Sequence, residues 1–188
     1  MSQREDLLAA AKKLLVDKGY HRTTARDIAT ASGSHLASIG YHYGSKDALM
    51  TAAALEAQNE WGDAIDTAMA ADGADAADRL SIAVDRLTAS MAAQREVLVA
   101  SIQTYAQAAY DDDIRSTLSA ATAGARRNLA AGILGTEPEN VDDDTTRSLG
   151  SVVHALIAGL SLQAFLDPAT LPTGAQVAAA MRAITKEE

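Results

Sequence analysis

The stretch Ser38-Ile39-Gly40-Tyr41-His42-Tyr43-Gly44-Ser45-Lys46-Asp47-Ala48-Leu49 decides how this chain is read. Two tyrosines flank a histidine, a glycine stops them, and a serine and a lysine then open a new helix. Gly44 ends the preceding turn. Ser45 is an N-cap residue, and Asp47 lies in the first turn, where a carboxylate suits the helix dipole. Lys46 adds its charge to the free backbone N–H groups of a helix start, an arrangement that holds phosphate. Aromatic hydroxyls, an imidazole and a lysine at one corner fit the phosphates of a DNA backbone.

The totals pull the other way. The 188 residues carry a formal charge of −9 and a pI near 4.8. The charge is uneven, however. Residues 1–50 hold seven Lys/Arg against five Asp/Glu, and residues 51–188 hold nine against twenty. A small, mildly basic N-terminal surface is thus set apart from an acidic remainder, and physiological salt screens distant repulsion beyond roughly 8 Å. Cysteine is absent, which excludes disulfides and thiolate metal sites. No basic start followed by an apolar run resembles a signal peptide. The apolar stretch Val152–Leu166, broken by His154, Ser161 and Gln163, reads as too short and too polar for a membrane span. The expectation is a soluble cytoplasmic protein with no membrane partner. Abundant alanine, scarce proline and the lack of β-branched runs favour an all-α chain.

Toward the N-terminus, Leu7, Leu8, Ala11, Leu14 and Leu15 place a helix over Gln3–Lys18, stopped by Gly19. Thr24, with Asp27 three residues on, forms a capping box for a second, short helix that turns Ile28 and Ala29 inward. Ser32-Gly33-Ser34 is a tight turn. A third helix is expected over His35–Tyr41, buried through Leu36 and Ile39. Two short helices joined through a glycine turn make a helix-turn-helix. The second of the pair enters the major groove and the first crosses the backbone. Here the reading helix would offer His35, Ser38 and Tyr41.

Toward the C-terminus the helices lengthen. A fourth carries Leu49, Ala52, Ala53, Trp61, Ile65 and Met69 up to a break at Asp72-Gly73. A fifth spans about residues 76–93, a sixth 96–110 and a seventh 112–134, each with an apolar stripe. Asp111-Asp112-Asp113 and Asp142-Asp143-Asp144 lack the alternating spacing and central glycine of a calcium loop, and suit helix starts instead. The eighth helix, ending at Asp167-Pro168, is apolar nearly all round from Leu149 to Leu166. Such a helix needs burial on two sides, one of which calls for a partner. A ninth, about 174–186, has a stripe of Val177, Met181 and Ile184. His35 and His42 have no third ligand in reach, so no metal is expected. No nucleophile–base arrangement or phosphate-cradling glycine loop appears, which leaves neither an enzyme nor a cofactor to propose.

The segments from Lys12 to Gly33 and from Leu36 to Leu49 together resemble the DNA-binding domain of the TetR (tetracycline-repressor) family of bacterial transcriptional regulators. The Gly19-Tyr20 stop, the Thr23-Thr24 helix start, Asp27-Ile28-Ala29, the Ile39-to-Tyr43 run and Gly44-Ser45-Lys46 carry the resemblance jointly. It implies an all-helical homodimer with a three-helix DNA-binding domain over 1–46. Residues 47–188 would form a larger ligand-binding and dimerisation domain. It further implies that ligand binding releases DNA. Thr24 and Arg26 fall where the family contacts phosphates, Ser38 in the reading helix, Tyr41 and His42 where the backbone is pressed, and Lys46 at a phosphate. Tyr43 falls at an apolar anchor. The family commonly has an apolar residue and then a serine before the third helix. Here Ser34 and His35 stand there, adding both to the DNA-facing set and giving an imidazole that can donate to or accept from a base edge.

The family builds its pocket from helices four to six. Trp61, Met91, Gln103, Tyr105 and Tyr110 are the ligand-binding candidates, and as structure they are core filler. The weakly aromatic C-terminal domain suggests an apolar small molecule. Helices eight and nine would pack against their two-fold mates as a four-helix interface, through Val152, Leu156, Gly159, Leu160, Gln163 and Met181. Gly150, Ala155, Gly159 and Ala164 would allow close approach. Double-stranded DNA with a near-palindromic operator, a second copy of the chain and a small ligand are the expected partners. The rival reading is a helical homodimer that binds a small molecule or protein without reading DNA.

Overall fold

The computed structural model describes residues 2–70 and 73–185. Asp72 in the expected break and Lys186 at the expected end of the last helix lie outside them. Among the described residues nine α-helices account for the regular structure, together with short 3-10 turns. They are α1 Gln3–Lys18, α2 Ala25–Ser32, α3 Leu36–Tyr43, α4 Lys46–Met69, α5 Ala76–Ala93, α6 Arg95–Gln107, α7 Asp112–Leu134, α8 Asp143–Leu166 and α9 Gly174–Thr185. The expected all-α class is the observed one. Two compact units result: Met1–Trp61 with Glu96–Leu118, and Gly62–Arg95 with Ser119–Glu188.

In the first unit the stripe of α1 does what its spacing dictates. Leu7, Ala11, Leu14 and Leu15 are buried with Ile28 of α2, Ile39 of α3, Leu49, Met50, Ala53 and Ala57 of α4, and Ile114 of α7. Each buried Leu or Ile contributes about 1.5–3 kcal/mol relative to exposure. Local chemistry sets the helix ends. The Ser2 side chain and Glu5 form a capping box on α1, as Thr24 and Asp27 do on α2. Gly33 adopts φ +65°, and the Ser34 N–H donates to the Ala29 carbonyl at 3.0 Å, which closes α2 in a Schellman-type turn. Ser34 is thereby used on the outgoing helix. His35 becomes the N-cap of α3 with no side-chain cap bond, so α3 begins at Leu36 and ends at Tyr43, later at both ends than expected. Leu36, expected inside, is 55% exposed.

In the second unit the aspartates act as caps. Asp75 accepts from the Asp78 N–H, and Asp142 accepts from the Thr145 N–H at 2.7 Å. Leu80, Val84, Leu87 and Met91 of α5 are buried, as are Val153, Ile157, Leu160 and Ala164 of α8 and Val177 of α9. The second turn of α8, Thr146–Gly150, is widened to a π-helix. There Gly150 lies so close to α7 that a Cβ would collide with the Arg126 carbonyl. Gly150 and Ala164 are therefore spent inside their own subunit, not kept free for a second copy. Helix α8 is also longer than its apolar run, because Asp142 starts it well before Val152. It is 24 residues long, and its most apolar 18-residue window has mean hydropathy 1.7, long and apolar enough by composition to cross a membrane; a third of that window is buried.

Candidate nucleic-acid interface

The polar groups of the helix-turn-helix are paired with one another. Thr23 is buried, and its hydroxyl donates to the carbonyls of Leu14 and Gly19, at 3.2 and 2.9 Å. Asp27 binds Lys18 at 2.8 Å and accepts from both the N–H and the hydroxyl of Thr24. The Lys18 ammonium and then the Thr24 donors hold the Asp27 carboxyl well below the usual carboxylate range. Thr24 thus spends its hydroxyl proton on Asp27. The start of α2 still presents the exposed Arg26 side chain.

On α3, Tyr41 is 86% exposed and Ile39 is 3% exposed, which fixes the outer and inner faces. His35 is exposed, while Ser34 and Ser38 are half-buried. His42 is half-buried, with Nε2 3.2 Å from Oε1 of Gln3. Tyr43 turns back: its hydroxyl donates to the Arg4 carbonyl at 2.8 Å, and the Arg4 guanidinium lies 5.2 Å from its ring centroid. Burial raises its pKa. The N-terminus of α1 therefore braces α3 through Gln3 and Arg4, two residues the sequence reading passed over.

Ser45 caps α4 through the Ala48 N–H at 3.0 Å. Lys46 follows, but it is not held out to solvent. Its ammonium lies 2.6 Å from Asp47 and 5.7 Å from the centroid of the Tyr20 ring, and its side chain is 27% exposed. Tyr20 is a junction. It is 8% exposed, and its hydroxyl lies 3.0 Å from the Thr51 hydroxyl and 3.3 Å from the Asp47 carbonyl. Thr51 donates to Asp111 at 3.2 Å, and Asp111 caps α7 through the N–H groups of Asp113 and Ile114. Burial, first of all, pushes the Tyr20 hydroxyl pKa up. One polar chain thus joins the end of α1 to α4 and to the start of α7.

The ligand candidates differ in burial. Trp61 and Met91 are buried at 4% and 2% exposure, and belong to different compact units. Gln103 is half-buried beside Gly19, with its Oε1 3.4 Å from where a Cβ would stand on that glycine. Tyr105 is exposed, and Tyr110 is 80% exposed with its ring 6.3 Å from that of His21. Sequence reading missed the buried polar stripe of α6. There Ser101 donates to Gln58 at 2.6 Å, and Thr104 donates to the Ala54 and Ala100 carbonyls. The three-residue spacing of Ser101, Thr104 and Gln107 was the available signal. Of the interface candidates, Val152 is 51% exposed and Gln163 is exposed. Leu156, Gly159 and Met181 are half-buried, and Leu160 faces inward at 2% exposure.

A short helix with an exposed outer face, set by a glycine turn on a capped partner, defines a helix-turn-helix DNA-binding protein. A family model described as bacterial regulatory proteins, tetR family, matches residues 7–53, and one described as BetI-type transcriptional repressor, C-terminal, matches residues 76–187. The chain belongs to the TetR family of bacterial regulatory proteins, whose members are DNA-binding dimers and not enzymes. No curated protein sequence matches it. Among solved structures, a candidate transcriptional regulator from Streptomyces coelicolor A3(2) is 26% identical, with 98% of this chain and 99% of that one covered at TM-score 0.72. One from Pseudomonas aeruginosa PAO1 is 24% identical, covering 96% and 88% at TM-score 0.73. A third, from Saccharomonospora viridis in complex with choline, is 22% identical, covering 96% and 94% at TM-score 0.70.

Proposed function

We propose that the chain is a cytoplasmic repressor that binds a near-palindromic operator as a homodimer and leaves it when a small molecule binds. The carrying observation is the exposed outer face of α3, flanked by Arg26 at the start of α2 and Lys46 at the start of α4. Arg26, Tyr41, His42 and Lys46 hold phosphates, with the Thr24 backbone turn behind them, and His35 and Ser38 lie toward base edges. Residues 1–46 are the DNA-binding part and 47–188 the effector and dimerisation part. Val152, Leu162, Phe165 and Leu166 of α8, all at least 38% exposed, supply an apolar face for the second copy. The two reading heads then stand on a two-fold axis, about one helical turn of DNA apart.

Coupling runs through the polar junction of the first unit. A ligand that shifts α6 moves Gln103 against Gly19, and the Tyr20–Thr51–Asp111 chain ties that corner to α4 and Lys46. The ligand acts only through its differential affinity for the two head positions. The ligand proposed is largely apolar. Choline, bound by the Saccharomonospora viridis protein, belongs in the same screen. The test is selection from a random duplex pool, followed by titration of the bound operator with candidate ligands. Enrichment of a two-fold site that a ligand releases supports the reading. A pool with no enriched site refutes it.

A further inference from the structure

Beside the exposed Tyr41, the outer side of α3 carries an apolar strip. The helix advances 100° per residue, so Ile39 at 3% exposure points inward and the opposite side is centred on Ala37 and Tyr41. Leu36, at 55% exposure, and the exposed Gly40 lie one turn apart on one flank, about 60° and about 100° round the helix from Ile39. A Cβ on Gly40 would meet nothing within 4 Å among the described residues beyond its own stretch of helix, so the position is open. Ser38 is half-buried on the other edge, and His42 is engaged with Gln3. The strip Leu36-Ala37-Gly40 is therefore smooth and apolar, and its small members allow close approach of the helix.

A single exposed leucine means little by itself. Here it is the exposed first residue of the helix that the proposed function turns to the major groove, and this inference rests on that reading. The floor of the groove has one strongly apolar feature, the C5-methyl group of thymine. We infer that Leu36, supported by Ala37, reads a thymine methyl in each half-site, so that part of the operator's sequence is recognised by apolar contact and not by hydrogen bonds. Burying one methyl group against Leu36 is worth about 0.8 kcal/mol, or about fourfold in affinity. Two half-sites together give roughly fifteenfold.

The test takes the duplex selected by the full-length protein and replaces each thymine in turn by deoxyuridine, which removes the methyl and leaves every hydrogen-bonding group. Affinity is read by fluorescence anisotropy at fixed salt. The expected result is one thymine per half-site whose replacement weakens binding about fourfold, and roughly fifteenfold when both halves are changed. Leu36→Ala should bind thymine and deoxyuridine duplexes alike, whereas Ser38→Ala should keep the difference. Leu36 is mostly exposed, so Leu36→Ala should melt with the parent, which shows that lost discrimination is not lost fold. A tightly bound site indifferent to every replacement overturns this inference and leaves the DNA-binding reading standing. Discrimination that persists in Leu36→Ala assigns the methyl to another residue and overturns it too. Failure to bind any duplex overturns the functional reading, and this inference with it.

Discussion

Removing the charge of Asp47 should tighten DNA binding while loosening the fold. Lys46 is the candidate phosphate ligand at the start of α4, yet its ammonium is 2.6 Å from the Asp47 carboxylate. Asp47 is 75% exposed in its side chain, so the pair is worth about 0.2–1 kcal/mol, and that much is lost when Lys46 turns to a phosphate. A carboxylate about 6 Å from a phosphate adds roughly 0.7 kcal/mol of repulsion in water, less in salt. Asp47→Asn removes both. A gain of about 0.5–1 kcal/mol per half-site tightens a dimer's operator affinity roughly 5–30-fold. The same change forfeits a favourable charge at a helix N-terminus, at a cost of about 0.3–1 kcal/mol of stability. The Ser45 cap remains. Affinity and melting temperature should therefore move in opposite directions. Anisotropy titration at several salt concentrations, beside thermal unfolding, reads both. Operator affinity unchanged within about twofold, in a variant whose melting temperature has dropped, would show that Asp47 does not restrain a phosphate-binding Lys46.

Lys46→Ala and Tyr41→Phe should weaken binding to all duplexes alike, while His35→Ala should alter sequence preference; a competition series over single-base variants separates the two. Thr51→Val breaks the link between Tyr20 and Asp111, costing about 1 kcal/mol of stability. It should leave operator affinity nearly intact but reduce ligand-driven release, as a release titration would show. Burial, and then Arg126, lowers the pKa of His154 below its ordinary value near 6.5. The folded state therefore favours the neutral ring. Its contribution to stability is complete above about pH 6.5 and is lost as pH falls through the lowered value. Melting temperature should fall as pH drops below about 6.5, and His154→Gln should flatten that fall. Gly150→Ala drives a methyl into the Arg126 carbonyl and should destabilise the fold by about 1–3 kcal/mol in chemical denaturation.

The helix ends were largely legible in the sequence, because they are set by local chemistry. Gly19, Gly33 and Gly44 all take positive φ, and Asp111 and Asp142 cap the helices that follow them. The helix-turn-helix followed from those ends together with two short stripes. The direction of Leu36 was not legible. Ser34 could cap α3 or close α2, and two local signals compete there; the backbone bond to Ala29 wins, leaving Leu36 as an exposed first residue. Thr24 shows the same limit, since a capping box and a phosphate contact compete for one hydroxyl proton. The junction of Tyr20, Thr51 and Asp111 spans residues far apart in the chain, and no periodicity joins them. Ser101 and Thr104 of α6 are buried because Gln58 and the Ala54 carbonyl receive their protons, and those acceptors lie too far along the chain for local pattern to name them.

The most direct test of the central claim is the salt dependence of operator affinity. Arg26 and Lys46 on each subunit of a dimer place four cations at phosphates, which sets a slope of about −3.6 in log affinity against log salt. Raising salt from about 50 to 200 mM should then weaken binding roughly 150-fold, and Lys46→Ala should flatten the slope by about 1.8. A slope near zero, or one that Lys46→Ala leaves unchanged, would contradict the placing of these residues on DNA.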